Sequence, residues 1–450
     1  MIPFPLLLLL LLVDAVCIGV ALLLTGLFVL PAGMVTWQEY TGASGMTLIF
    51  YLLCFYILDA YKAGLEDFKD TIGRMASACV LGCVASSTAT YVMEYSRFSK
   101  TTLVLLAVFV LLICLMWRYI YYRTALRWST PRRVLLLGED KAGVVREFLS
   151  EGITRTVIVG YVGEQGKHAD AGPYLGNPFE TLRVAREYDA SVIVVLPDAP
   201  LDDSLAKELL NAKLAGILVV DIRLLCEHVV QRLPLAQLSE EWLLLNEGFS
   251  LNTHGSLRRL KRVMDVALAL CLLLLSCPVM LLIALLITLE SPGPIIYKQK
   301  RVGLNGSLFT LYKFRSMYED AEAEGRALWA RAEDSRVTRV GACIRKVRLD
   351  ELPQVWNVLA GSMSFIGPRP ERPYFVHSLT ESIPFYSLRH SIKPGLTGWA
   401  QVCYPYGASQ EDARRKLEYD LYYIKNMSVL LDIRITLKTL GVVLFPRGAR

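Results

Sequence analysis

The sequence holds no C-x-x-C pair, and its five histidines form no H-x-x-x-H. Its ten scattered cysteines therefore supply neither a zinc site nor a disulfide framework. Four of them, Cys17, Cys54, Cys79 and Cys114, lie in apolar runs and read as small fillers of membrane helices. The first apolar run lacks a basic n-region and an A-x-A-like cleavage site, which argues against a removable signal peptide. None of the 22 tyrosines has a lysine four residues later. The turn Gly138-Glu-Asp-Lys-Ala-Gly143 is neither G-x-G-x-x-G nor a P-loop. Both absences speak against a nucleotide-sugar dehydratase or epimerase.

What is present is apolar. Hydrophobic residues make up 54% of the 450 residues and the mean hydropathy is +0.40, more than soluble cores need, so the chain is expected in a membrane. Four apolar segments, near Pro5–Leu30, Met46–Leu58, Ile72–Met93 and Thr101–Trp117, predict a transmembrane four-helix bundle over residues 1–125. The second is short unless it extends to either side. Positive charge gathers in Asp59–Arg74 and at the exit, in Arg118, Arg123, Arg127, Arg132 and Arg133, whereas Pro31–Gly45 has none. Both ends of the bundle are thus expected on the cytoplasmic side.

From residue 131 to about 250 short β-rich runs alternate with polar helical stretches: Val134–Leu137, Val157–Val162, Ser191–Leu196 and Gly216–Val220, with a helix near Gly143–Ser150. This alternation predicts a Rossmann-like α/β domain. Its first turn leaves open a nucleotide site or a ligand-free scaffold.

Charge divides the chain. Residues 255–450 hold 28 Lys and Arg against 17 Asp and Glu, and residues 1–254 hold 20 against 25. The basic part should meet lipid headgroups or phosphates rather than nucleic acid, because the excess borders a strongly apolar segment. That segment, Met264–Leu289, carries Pro278 in its middle and basic flanks on both sides: Lys261 and Arg262 before it, Lys298, Lys300 and Arg301 after it. Like-signed flanks and a central proline predict a bent, re-entrant helix over residues 262–289 that enters and leaves by one leaflet. The tail Val429–Leu444, interrupted by Asp432, Arg434 and Lys438, reads as an amphipathic helix lying on the membrane.

The stretch from Ile344 to Leu359, closed by Gly361, reads as a helix whose start is marked by Pro353. Asp350 and Glu351 then sit at or just before its N-terminus, where free N–H groups and Arg345, Lys346 and Arg348 attract phosphate. Two acids among these cations suit a divalent ion bridging to a diphosphate. N-capping by Asp350 with Glu351 in the favoured first turn is the plainer account of the spacing.

Ordered blocks in residues 258–445 go further. They are Lys261-Arg-Val-Met-Asp265, the apolar hairpin with Pro278, Ser291-Pro-Gly-Pro-Ile-Ile-Tyr-Lys-Gln-Lys-Arg-Val-Gly303, Phe309-Thr-Leu-Tyr-Lys-Phe-Arg-Ser-Met317, Leu349-Asp-Glu-Leu-Pro-Gln354, Phe365-Ile-Gly-Pro-Arg-Pro370 and Lys393-Pro-Gly-Leu-Thr-Gly-Trp-Ala-Gln-Val402. Together they resemble the bacterial sugar transferase family of monotopic polyprenyl-phosphate glycosyl-1-phosphate transferases. The N-terminal half is similar to that of long-form members from exopolysaccharide pathways, including exosortase-associated ones.

The resemblance implies a mainly α catalytic domain over residues 255–450, with interfacial amphipathic helices, on the cytoplasmic face of the bacterial inner membrane. It implies Asp350 as nucleophile, Glu351 as its partner, and Mg²⁺ held at Asp350 and Glu351. Arg345 and Arg369 would contact a UDP-sugar, Lys313 and Arg315 would bind substrate or lipid headgroups, and Lys261, Arg262, Asp265 and Pro278 would anchor the re-entrant helix. The second substrate would be polyprenyl (undecaprenyl) phosphate, in a chain that touches membrane lipid, binds no nucleic acid and has room to be a homo-oligomer. Two departures stand out. Cys277-Pro278 replaces the family's Ser-Pro, with Ser276 one place earlier, and the segment Cys403–Ser409 holds no arginine. A non-catalytic scaffold is the rival reading, and it predicts a dispensable acidic pair.

Overall fold

The computed structural model describes residues 4–31, 37–58, 60–61, 68–92, 100–128, 132–138, 145, 156–163, 172–197, 199, 202–249, 255–318, 336–404, 407 and 409–444. It divides into two compact units, Met1–Val230 and Gln231–Arg450.

The first unit begins with four apolar helices, α1 (Phe4–Val29), α2 (Trp37–Ile57), α3 (Phe68–Val92) and α4 (Lys100–Trp128). The short second segment extends back to Trp37 and reaches spanning length. Helix α1 packs on α2 and α4, and α3 packs on α2 and α4. Each has a stretch long and apolar enough to cross a membrane. One charge had been hidden in the first run: Asp14, fully buried, lies 2.6 Å from Arg118 and accepts from Trp117 Nε1 at 3.2 Å. Arg118, counted above with the basic exit, is therefore an interior counterion stacked 5.0 Å over Tyr61, and Arg123, Arg132 and Arg133 remain among the exit cations described. Charged side chains inside apolar helices face the interior and pair with one another, as these two do.

The same unit continues with β1 (Arg132–Leu137), β2 (Thr156–Val162), β3 (Tyr174–Gly176), α5 (Thr181–Glu187), β4 (Val192–Val195), α6 (Asp203–Leu214), β5 (Leu218–Asp221) and α7 (Ile222–Val229). The strands form one parallel sheet in the order β3-β2-β1-β4-β5. Alternate residues of β1 face opposite layers, as a period of two requires. Val134 and Leu136 join Ile222 and Cys226 on one face, while Leu135 and Leu137 join Leu205, Leu209 and Val184 on the other. Burial on both faces explains why these strands read as unbroken apolar runs. The three-residue β3 escaped the sequence reading because it has no such run. The helix expected near residues 143–150 lies outside the described residues except for Val145.

In the second unit α8 (Glu240–Leu245) precedes α9 (Gly255–Glu290), a 36-residue helix with Pro278 inside it. Then come the hairpin β6 (Ile296–Val302) and β7 (Leu308–Phe314), α10 (Arg339–Lys346), α11 (Val355–Ala360), β8 (Ser364–Ile366), α12 (Pro373–Ser382), β9 (Gly395–Thr397), α13 (Trp399–Cys403), α14 (Gln410–Lys425) and α15 (Val429–Leu444). β6 and β7 pair antiparallel, and β8 and β9 pair parallel.

Helix α9 rests on this unit at both ends. Ala269 and Leu273 share a core with Leu311, Val355 and Val358, while Ile283 and Ile287 share one with Phe314, Ile344 and Leu352. Between them Leu274, Leu275, Leu281 and Leu282 are exposed. The Ser276 hydroxyl donates to Leu272 O at 2.6 Å, so a serine one place early still makes the back-bond to its own helix. Helix α15 buries a mixed face, Leu431 and Ile435 together with Asp432 and Lys438, and leaves Leu430, Ile433 and Leu440 exposed. An exposed apolar row of this kind suits a membrane surface.

Candidate active site

The acidic pair occupies a break between two helices. Helix α10 is capped at its start by the Thr338 hydroxyl, which accepts from Gly341 N, and by the Glu290 carboxylate, which accepts from Arg339 N and Val340 N at 2.7 and 3.0 Å. Past its end Arg348 adopts φ +58°, and the chain continues as a 3-10 stretch, Leu349–Gln354, before α11 begins. A left-handed non-glycine residue costs on the order of 1 kcal/mol and persists where its surroundings over-determine it. Pro353, which has no N–H, falls in the 3-10 stretch, and Gly361 (φ +85°) ends α11.

Glu351 is clamped. Lys313 Nζ, from β7, donates to its Oε1 at 2.8 Å. The Arg369 guanidinium, from the loop after β8, donates to Oε1 at 2.5 Å and to Oε2 at 3.1 Å. Burial alone would raise the Glu351 carboxyl, but the charges and hydrogen bonds of Arg369 and Lys313 hold it well below the usual range. Asp350 differs. Burial, then the negative charge of Glu351, raises its carboxyl, against the pull of Lys313, Arg369 and Arg345. Neither Asp350 oxygen has a hydrogen-bond donor among the described residues. Of two adjacent carboxylates, one is locked as an anion between two cations and the other is unpartnered and half-buried.

The remaining expected site residues separate into two groups. Arg345, in the last turn of α10, is half-exposed and its guanidinium meets no acceptor among the described residues. It is free to take a phosphate oxygen near Asp350. Arg315 instead is buried and donates to the carbonyls of Pro292 and Ser291, each at 2.7 Å, fastening the end of β7 to the exit of α9. Lys261 bonds Asp432 Oδ2 at 2.7 Å and Tyr423 OH at 3.0 Å. Arg262 caps the C-terminal end of α11 through Val358 O and Leu359 O. Asp265 accepts from Phe365 N and Ser364 Oγ. These three tie α9 to the rest of the second unit.

Some residues that shape the site were not singled out from the sequence. Asn357, buried on α11, donates to Thr310 O and accepts from Tyr312 N, gripping β7 beside Lys313. A polar residue on the apolar period of Val355–Leu359 was the available signal. Arg301, expected only as a basic flank of Met264–Leu289, donates to Pro370 O, and Arg389 to Arg369 O, each at 3.0 Å. Nothing in local sequence distinguishes them from solvated cations.

Among the described residues no cluster of three or more His, Cys, Asp or Glu is placed to hold a metal ion. The unpartnered Asp350 oxygens nonetheless fit a magnesium ion carried largely by phosphate oxygens and water, which needs only one or two protein carboxylates.

Residues 256–446 match the bacterial sugar transferase family. An exopolysaccharide production protein of Rhizobium leguminosarum bv. phaseoli is 41% identical over 192 residues, 40% of this chain and 92% of that protein. The chain belongs to the bacterial sugar transferase family. A UDP-N-acetylgalactosamine-undecaprenyl-phosphate N-acetylgalactosaminephosphotransferase of Aeromonas hydrophila is 45% identical over 266 residues, 59% of this chain and 61% of that protein. A UDP-glucose:undecaprenyl-phosphate glucose-1-phosphate transferase of Escherichia coli (strain K12) is 44% identical over 187 residues, 41% of this chain and 40% of that protein. The match thus covers less than two thirds of either of these two relatives. The Asp350–Glu351 pair, Lys313 and Arg369 all fall inside the family match.

Proposed function

We propose that this membrane protein transfers a hexose-1-phosphate from a UDP-sugar to polyprenyl (undecaprenyl) phosphate, releasing UMP, and so initiates assembly of an exopolysaccharide or related glycoconjugate. The observation that carries the reading is the division of labour in the acidic pair. With Glu351 lone pairs engaged by Lys313 and Arg369, only Asp350 has an oxygen available to attack. An Asp350 oxygen would form a bond to the β-phosphorus as the bond from that phosphorus to the bridging oxygen breaks and its electron pair leaves on UMP. The acyl phosphate then holds the sugar phosphate until an oxygen of polyprenyl phosphate attacks the same phosphorus and restores the carboxylate. Arg345 and Arg369 suit the equatorial phosphate oxygens, since guanidinium forks match their geometry. Magnesium, held at Asp350 and, where its clamp yields, Glu351, would neutralise the diphosphate charge.

The first half supports this as a four-helix transmembrane anchor in the bacterial inner membrane, with the catalytic unit at the cytoplasmic face, where nucleotide-sugars are made. Packing favours the re-entrant form of α9. In a straight helix Ala269 and Ile287 would lie about 27 Å apart, whereas Val358 and Leu352, from the cores that those two residues join, are only six positions apart in one helical stretch. Pro278 is the natural place for the bend.

Two experiments test the reading. Purified full-length protein given Mg²⁺, polyprenyl phosphate and a panel including UDP-N-acetylgalactosamine and UDP-glucose should release UMP with at least one donor. Silence across the panel rejects the activity. Cysteines introduced singly at Gly255 and Ile295 of a cysteine-free protein should both react from the cytoplasmic side. Labelling of position 295 from the periplasm would make α9 a true span and displace the site to the wrong compartment.

A further inference from the structure

Arg369 reaches Glu351 from a loop that cannot easily hold itself. Pro368 and Pro370 flank it, and neither has an N–H to donate. The loop is fastened through its carbonyls instead: Gly395 N donates to Pro368 O at 2.9 Å, Arg389 to Arg369 O at 3.0 Å, Arg301 to Pro370 O at 3.0 Å and Val302 N to Glu371 O at 3.0 Å. The bond to Arg369 itself comes from a side chain that is 6% exposed. Arg389 stands in a 3-10 turn, Tyr386–Ser391, donates to Tyr386 OH at 2.6 Å, and lies 2.8 Å from the carboxylate of Asp420 on α14. Asp420 is 2% exposed, so the pair is desolvated and neither charge can be removed without stranding the other.

We propose that Arg389, neutralised by Asp420, is a positioning residue for catalysis: it fixes the Arg369 backbone so that the guanidinium meets both oxygens of Glu351 and leaves Asp350 the free carboxylate. This rests on the transferase reading above. Arg389 touches neither carboxylate, so its influence on the reaction runs through Arg369. Lysine in its place keeps a positive charge near Asp420 but cannot reach Asp420, Tyr386 and the Arg369 carbonyl together.

The test is a double-mutant cycle on full-length protein, using whichever UDP-sugar of the panel gives UMP release. Arg389→Lys is expected to lower kcat/KM by about tenfold or more, with a thermal midpoint within a few degrees of wild type. In an Arg369→Ala background the same change should cost less than about twofold. The division of the loss between kcat and KM supplies a readout that loose packing would not reproduce: acting through Arg369, Arg389→Lys should split its loss between the two as Arg369→Ala does. If Arg389→Lys fails to fold, Tyr386→Phe, which removes one acceptor of Arg389 and strands no charge, takes its place in the same cycle. Additive losses, a division between kcat and KM unlike that of Arg369→Ala, or wild-type rates would overturn the proposal while leaving the transferase reading intact. A wild type that turns over no UDP-sugar would overturn both.

Discussion

Asp350→Asn should lose at least about 10³-fold in UMP release while keeping its membrane insertion and thermal midpoint, because an amide cannot form or regenerate the acyl phosphate. The isostere preserves shape and removes only the nucleophilic oxygen. Substantial residual turnover would reject Asp350 as nucleophile. The wild-type pH profile should carry the same signature. The Asp350 carboxyl is raised by burial and by Glu351, and attack needs its ionised form, so kcat/KM should fall on acidification through a limb displaced upward from the ordinary aspartate value. Glu351→Gln should also be severely impaired, since it removes the anion that holds Lys313 and Arg369 in place.

The second large effect concerns where the catalytic unit begins. A fragment starting at Gln231 is expected to associate with membranes and release UMP, whereas one starting at Ser250 should be destabilised by about 3–5 kcal/mol. For a unit of this size that lowers the thermal midpoint by on the order of 10 °C. The difference lies in a short segment before α8. Arg232, 1% exposed, is 3.1 Å from Glu418 Oε2, and Leu233 N donates to Glu418 O. Trp399 Nε1 donates to Gln231 O at 2.9 Å. Burial already pushes the Glu418 carboxyl up to about 7 with Arg232 and Arg415 beside it. Without Arg232 a buried carboxylate loses its principal counterion. Equal midpoints for the two fragments would show that the Arg232–Glu418 pair contributes little, and a well-folded but inactive fragment from Gln231 would mean that the first half contributes to the site.

Much of this organisation was legible in residue order. The apolar runs, the parallel strands Val134–Leu137 and Val192–Val195, and the turn holding Asp350, Glu351 and Pro353 rest on local signals: hydropathy, β-branching, a missing N–H. Signals of that kind survive in a linear chain because each depends on near neighbours. Asp14 was missed for the same reason in reverse, since its partner Arg118 lies 104 residues away and resembled an ordinary basic flank.

By itself, then, the sequence determined that the chain is a membrane protein, that its basic C-terminal part carries the ordered family blocks, and that two adjacent carboxylates stand at a helix start among cations. Only the tertiary structure decided which carboxylate is free. Lys313 on β7 and Arg369 after β8 lie 38 and 18 residues from Glu351, and no local pattern says that both converge on it rather than on Asp350. It also assigned the remaining cations, directing Arg315, Arg262 and Lys261 to carbonyls and a carboxylate inside the protein while leaving Arg345 open. The reason is physical. The type of a charged side chain is written in the sequence, but its role depends on which opposite charge or carbonyl shares its desolvated surroundings, and that is settled only when distant segments pack together.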